Sequence, residues 1–289
     1  MNADTHKTAA PILVTGGTGT LGSLVVPRLR QRGQPVRILS RGHLPAQLAA
    51  GTDPGVEQVI ADLQTGERLE AALHDVQTVI HLAGSAKGDE EKAGHLVEAA
   101  SRVGVRHLLY ISVVGADQIP VKSALDRAMF GYFAQKRAAE QVIAASGLPY
   151  TILHATQFHQ LSLKVVEGMA RLPIVPVPAG WRFQPIDAAE VADRLVELAF
   201  GAPSGLVPEV GGPRIYEMTE LVRSYLQAAG KRRLIVSMPM AGGAARAFRD
   251  GANLTPNRTI GRRTWEDFLA DELAFRRARP ASPSSAHAR

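Results

Sequence analysis

Ile12-Leu13-Val14-Thr15-Gly16-Gly17-Thr18-Gly19-Thr20-Leu21-Gly22 decides how the rest of the chain is read. The short aliphatic run predicts a buried strand, it stops abruptly in glycines, and Leu24 to Leu29 resume at helical spacing. Strand, glycine turn and helix in that order present backbone N–H groups and a helix N-terminus to a phosphate. Two spacings overlap, Gly17-x-Gly19-x-x-Gly22 and Gly16-x-x-Gly19-x-x-Gly22. The first glycines permit a tight turn and let the main chain approach a pyrophosphate, while Gly22 lets the helix pack closely on the sheet. Glycine turns also arise for steric reasons alone, so the weight rests on the flanking strand and helix. On that context Gly16, Thr18, Gly19, Thr20, Leu21 and Gly22 are expected to bind a dinucleotide.

Outward from the loop, Leu21 to Arg32 predicts a helix stopped by Gly33, and Pro35 to Leu39 a second strand followed by Ser40-Arg41-Gly42. An acid at this position would hydrogen-bond a ribose 2′-hydroxyl and repel a 2′-phosphate. Here Ser40 and Arg41 offer a hydroxyl and a cation instead, so NADP(H) is expected over NAD(H). Val56 to Ala61 is a third strand ending at Asp62-Leu63, where the acid either accepts from an adenine amino group or caps the next helix. Leu69 to Leu73 reads as a short helix and Val76 to Leu82 as a strand running into small residues, of which Leu82, Ala83 and Gly84 would let a cofactor cross the sheet edge. Glu90 to Val103 is helical and His107 to Ile111 a fifth strand, with Ser112 just past it. This alternation predicts an α/β fold with a parallel sheet wound on both faces.

A long helix is expected from Leu125 to Ser146, followed by a strand over Tyr150 to His154. Tyr132 and Lys136 are four apart on that helix and share a face. An ammonium beside the phenol favours its ionised form, and such a pair can move a proton to or from a substrate oxygen while hydride moves at nicotinamide. Lys136 would also grip the nicotinamide ribose, and Ser112 would hydrogen-bond the same substrate oxygen. Such a spacing also arises by chance as a surface tyrosine with a lysine neighbour; its place after the fifth strand of a dinucleotide fold is what favours chemistry.

With these motifs in place, the chain resembles the atypical short-chain dehydrogenase/reductase family, in its NmrA-like NAD(P)H-binding branch, from about Pro11 to Leu269. The similarity is carried by Thr15 to Gly22, Leu39-Ser40-Arg41, Ile111 to Gly115, Lys136 to Glu140, Ala155 to His159 and Phe183 to Asp187. It implies a Rossmann-type core with a small C-terminal substrate-capping lobe, and usually NADP(H). Residues 8–155 would form the core and 156–278 the lobe, interleaved with it. The family holds quinone and other carbonyl reductases, and also redox-sensing regulators that only bind the dinucleotide. His154 departs from the arginine of many relatives.

Gln157 and His159, at the exit of the last major strand, either line the substrate site or serve the core. Further on, Pro173 to Pro178 reads as an extended connector, Trp181 and Phe183 as core rather than cleft cover, and Asp187 as the N-cap of a helix to Phe200. A helix over Thr219 to Ala229, a strand over Leu234 to Ser237 and helices over Ala241 to Phe248 and Thr264 to Arg277 complete the lobe.

Composition bounds the function. The 289 residues are 45% hydrophobic and 21% charged, with no apolar run long enough to span a bilayer. Met1 to Ala10 lack the apolar centre of a secretory signal, so a cytoplasmic location is expected. Zero cysteines exclude disulfides, thiolate metal sites and cysteine nucleophiles, and the 9 histidines form no metal-spaced pair. Much of the +6 net charge lies late in the chain, at Arg276, Arg277, Arg279 and Arg289, and residues 279–289 are expected to be a disordered tail. With 5% aromatics and no basic stripe, nucleic acid is not an expected partner, nor is a membrane, and a small-molecule substrate is. The sequence does not specify the oligomeric state. Three functions share these residues: a reductase of a carbonyl or quinone-like molecule, a non-catalytic NADP(H) sensor acting through a protein, and an epimerase or dehydratase with tightly held cofactor.

Overall fold

In the computed structural model, which describes residues 9–42, 53–84 and 88–278, strand and helix alternate from the start. The order is β1 (Ile12–Thr15), α1 (Gly22–Gln31), β2 (Val36–Ser40), β3 (Val56–Ile60), α2 (Leu69–Ala72), β4 (Thr78–His81), α3 (Asp89–Val103), β5 (His107–Val113), α4 (Ala124–Ala145) and β6 (Tyr150–Ala155). There follow α5 (His159–Met169), β7 (Ile174–Pro178), β8 (Arg182–Phe183), α6 (Ala188–Phe200), β9 (Gly205–Leu206), β10 (Tyr216–Glu217), α7 (Met218–Ala228), β11 (Leu234–Met238), α8 (Gly243–Asp250) and α9 (Trp265–Ala278). The main sheet runs β3-β2-β1-β4-β5-β6-β9 and is parallel throughout. Its first six strands have the Rossmann order, which reverses between β1 and β4.

Both faces are covered, and β1 explains how. Successive side chains of a strand point to opposite faces, so Val14 packs with α1 and α6 while Leu13 packs with α2, α3 and α4. Neither residue is exposed at all, and burying such a side chain contributes about 1.5–3 kcal/mol. Parallel strands covered on both faces read as continuous apolar runs, which is why this part of the sheet is visible in the sequence. Asp187 caps α6 as expected, its Oδ1 accepting from the Ala189 amide at 2.8 Å.

The C-terminal elements build two further clusters. One gathers α5, β7, α7 and α9 around Val175, Val177, Tyr225, Trp265 and Phe268. The other joins α4 to α8 through Phe130, Phe133, Trp181 and Phe248. The connector expected over Pro173–Pro178 is instead strand β7, paired in parallel with β11 from Leu234↔Ile174 to Met238↔Pro178. Its prolines are compatible with a strand that has one partner, because only one side of its backbone enters a ladder. The expected tail, 279–289, lies outside the described residues.

Candidate active site

The site begins where β1 ends. Thr15 Oγ1 accepts from the amides of Leu82 and Ala83, each at 3.1 Å, which leaves its proton for His81 Nδ1 at 2.7 Å. This ties the carboxyl ends of β1 and β4 together at the sheet's reversal point. Burial, helped by the Lys136 and Lys92 charges, pushes the His81 pKa down to about 3, so the ring is a neutral acceptor. Gly16 has φ +67°, and a Cβ there would lie 2.8 Å from the Ala83 nitrogen. At Gly22 a Cβ would lie 2.2 Å from the Gly16 oxygen and 2.5 Å from Gly17 Cα, so the turn and α1 approach as closely as glycine allows. No side chain caps α1 and no acid stands in its first turn; the amides of Ser23, Leu24 and Val25 bond back to the Gly19 and Leu21 carbonyls, and those of Thr20, Leu21 and Gly22 just ahead of them are left to meet an anion. This cradle fits the pyrophosphate of a dinucleotide.

From the cradle a cleft of about 810 Å³ runs under the C-terminal lobe. Of the residues singled out in the sequence, Gly16, Gly19, Thr20, Leu21, Gly22, Leu82, Gly84, Ser112, Tyr132, Lys136 and Gln157 line it. Thr18 stands exposed on the loop, and Ala83 is bonded to Thr15 beside it. A larger hollow of about 970 Å³ opens at the opposite sheet edge, among Pro35, Gly55 and Val76, and touches none of these residues. Ligands of open α/β sheets sit at the carboxyl ends of the strands, which selects the smaller cleft.

Arg41, at the exit of β2, is exposed and has no carboxylate partner among the described residues. Ser40 is less available than expected: its hydroxyl donates to the Gly42 carbonyl and accepts from Gln58 Nε2 at 3.0 Å. Asp62 does not cap α2; its Oδ1 accepts from the Gln64 amide at 2.8 Å in a local turn, and Leu63 is buried. His159 is also corrected. It is fully buried, stacks on Phe268 at 5.0 Å and bonds the Arg263 carbonyl at 3.1 Å, away from the cleft. Gln157 does face the cleft, and both its Oε1 and Nε2 are buried without a hydrogen-bond partner.

Tyr132 and Lys136 share a face of α4, but their electrostatics differ from expectation. Lys136 is buried; its Nζ donates to Tyr110 Oη at 3.1 Å and to the Ile111 carbonyl at 3.2 Å, and it pairs with Asp89 Oδ2 at 3.5 Å. Burial holds its pKa below the ordinary lysine value, against the pull of Asp89. Tyr132 lies with its ring centroid 5.7 Å from this ammonium. Yet its pKa is pushed up to about 12, by the protein displacing water around it and then by the Asp89 carboxylate, although 39% of the residue stays exposed. Asp89 cancels the charge that was to lower it. Gly84 makes room for this pair, since a Cβ would lie 2.9 Å from Nζ and 3.3 Å from Asp89 Oδ2.

Ser112 lines the cleft from within β5, opposite His154 on β6. Its proton is given to Glu140, which also accepts from His154 Nε2 at 2.9 Å and Arg137 at 3.2 Å. Glu209 stands 3.6 Å from the other ring nitrogen. Burial would lower the His154 pKa, but Glu140 and Glu209 outweigh it and raise it to about 9. Burial would likewise raise Glu140, and His154 and Ser112 outweigh it to hold the carboxyl ionised. Ser112 therefore offers the cleft lone pairs, not a proton, in contrast to the role expected of it.

Sequence reasoning missed Asp89 and Tyr110, which hold Lys136, and Glu140, which holds Ser112. Asp89 reads only as a first-turn acid of α3, and Tyr110 as a strand residue. It also missed the cleft walls Met129 and Phe130 from α4 and Met218, Leu221 and Phe248 from the lobe, and it preferred the core over cleft cover for Trp181 and Phe183, both of which line the cleft. Trp181 does both, stacking on Phe248 at 4.8 Å while it lines the cleft.

A model of the NAD(P)H-binding family matches residues 16–200. A (4-alkanoyl-5-oxo-2,5-dihydrofuran-3-yl)methyl phosphate reductase of Streptomyces griseus is 29% identical over 226 residues, covering 76% of this chain and 74% of the relative. Photosystem II assembly factor Ycf39 of Synechocystis is 27% identical over 247 residues, covering 80% and 71%. The chain spans 32%, 71% and 74% of the lengths of three curated relatives it matches. In fold it is similar to an NADPH-dependent quinone oxidoreductase of Escherichia coli, with TM-score 0.73, 19% identity and coverage of 91% of this chain and 99% of the other. The chain belongs to the NAD(P)H-binding family, in keeping with its resemblance to atypical short-chain dehydrogenase/reductases.

Proposed function

We propose that the chain is an NADPH-dependent reductase of an uncharged small molecule bearing a carbonyl, quinone-like or otherwise conjugated. The observation that carries this reading is one cleft in which a protonated phenol, Tyr132, and an unpartnered amide, Gln157, stand among apolar walls next to the glycine cradle. Apolar pockets with a few placed polar groups are the usual form of a small-molecule site. Bound NADPH supplies a hydride. Tyr132 would give its proton to the substrate oxygen on which negative charge develops, completing an alcohol from a ketone or aldehyde, or a hydroquinone where a quinone is reduced through its conjugated system rather than at the carbonyl carbon. Gln157 orients the substrate by hydrogen bonds it lacks in the protein. Lys136 is buried beneath the cleft and pairs with Asp89, a carboxylate it shares with Lys92. Arg41 is assigned to the 2′-phosphate and accounts for a preference for NADPH. The reductase among the relatives supports the reaction class.

A second reading is an NADP(H)-binding sensor acting through a protein partner. It is favoured by the Lys136 ammonium, whose three donors are taken by Tyr110, Ile111 and Asp89, and by the assembly factor among the relatives. The test is NADPH absorbance decay across quinones, ketones, aldehydes and enones. Tyr132→Phe should cut turnover by about 10²–10⁴-fold and leave NADPH affinity within roughly threefold. Full activity in the variant refutes Tyr132 as the acid. Tight NADPH binding with no decay on any of these compounds selects the sensor.

A further inference from the structure

Strands β7 and β11 form a separate two-stranded sheet whose inner face, with Val175 and Val177 fully buried, packs on α7 and α9. Residues paired across parallel strands point the same way, so the register Leu234↔Ile174, Val236↔Pro176 and Met238↔Pro178 puts six apolar residues on the outer face. None of the six is polar, and Leu234 is 62% exposed, Ile174 53% and Met238 51%. An isolated exposed leucine needs no explanation, but an entire strand-pair face that is apolar and uncovered does. Both strands begin at cations: Arg171 precedes β7, and Lys231, Arg232 and Arg233 precede β11. Arg171, Arg232 and Arg233 line one shallow groove with Pro173 and Leu234, and none of the three has a carboxylate partner among the described residues.

We propose that this face docks on a lipid bilayer carrying anionic head groups, with the apolar residues entering the interface and the arginines contacting phosphates. An apolar face edged by arginines is the pairing that peripheral membrane binding requires. A second copy of the chain fits less well. Residues 168–181 and 230–245 contain no Asp or Glu, so an identical face would bring the arginines no counter-charge. Docking here is peripheral, since no helix among the described residues is long and apolar enough to cross a membrane. The chain runs from α5, whose Leu161 and Val165 line the cleft, directly into Arg171 and β7, so the face belongs to the lobe that roofs the cleft.

The test is co-sedimentation of the full chain with phosphatidylglycerol/phosphatidylcholine vesicles and with phosphatidylcholine alone, alongside sedimentation velocity without vesicles. Wild type should bind the anionic vesicles, bind phosphatidylcholine at least about tenfold more weakly, and lose binding as salt rises. The double variant Leu234→Asp/Val236→Asp and, independently, Arg232→Glu/Arg233→Glu should each weaken binding by about tenfold or more while NADPH titration is unchanged. The arginine pair sits outside the strands and keeps the test open if the first variant fails to fold. Absence of binding to anionic vesicles, or binding that survives both variants, overturns the proposal. So does a stable dimer that Leu234→Asp dissociates, which would make the occupant a second copy.

Discussion

The histidine at position 154 makes folding stability depend on pH in a window where little else titrates. Its ring is buried between Glu140 and Glu209, and its pKa rises from 6.5 to about 9. At about 1.4 kcal/mol per tenfold change in protonation, that displacement corresponds to about 3 kcal/mol. The folded state holds the proton more tightly, so the stabilisation is complete below pH 6.5 and is lost as pH climbs towards 9. The other perturbed histidines act only at the acid end. Burial pushes His81, His107 and His159 down, so each favours the unfolded state near and below pH 6.5 and is neutral in both states above about pH 7.5. Urea unfolding from pH 7.5 to 9.5 should therefore show wild type losing about 2 kcal/mol. His154→Gln should start weaker, because the buried Glu140 loses its cation, and should vary less over the same window. His154→Arg should stay charged throughout and flatten the profile without that initial loss. If His154→Gln keeps the wild-type slope, the network does not hold the proton and the reasoning fails.

Three further outcomes follow from the site. Gly22→Ala puts a methyl against the Gly16 carbonyl and Gly17 Cα, backbone atoms that have no rotamer to yield; it should cost about 1–3 kcal/mol and abolish NADPH binding by fluorescence titration, and unchanged affinity would sink the cradle assignment. Arg41→Ala should weaken NADPH by roughly 10–100-fold, the worth of a charge-assisted contact, and leave NADH untouched; an equal effect on both would place the 2′-phosphate elsewhere. Gln157→Leu removes two buried, unpartnered polar atoms, so the ligand-free protein should gain about 1–3 kcal/mol in urea while the substrate KM rises; a loss of stability would mean that the amide serves the fold.

How far the sequence could be read follows from the range of each interaction. The glycine turn, the buried strands and the Asp187 cap are local, and their residues carry the signal within a few positions. Tyr132 and Lys136 are one helical turn apart, so their shared face was legible. What surrounds them was not. Asp89 reaches Lys136 from α3, 47 positions earlier, and Glu140 meets Ser112 and His154 only once α4 lies across β5 and β6. A helix-start acid or a mid-helix glutamate has no pattern that distinguishes a solvated residue from a buried partner. His159 failed for the opposite reason: its place after β6 suggested the cleft, but α5 turns it into the aromatic cluster of α9. The prolines of β7 concealed a strand whose buried Val175 and Val177 alternate with the outer-face residues in the period of two.

These unread partners bear on the direction of the chemistry. A tyrosine whose pKa is lowered by a free ammonium can act as base or acid near neutrality. That freedom is removed here, since the protein displacing water around Tyr132, and then the Asp89 carboxylate that pairs with Lys136, raise its pKa to about 12. At pH 7 only about one Tyr132 in 10⁵ is then ionised, which makes it a poor base for withdrawing an alcohol proton. The same phenol is fully protonated and able to give its proton to an oxygen on which negative charge develops. Ser112, whose proton is held by Glu140, leaves that donation to Tyr132. On the proposed reductase reading the protonated phenol is the form that donates, and desolvation together with the Asp89 carboxylate keeps Tyr132 in that form.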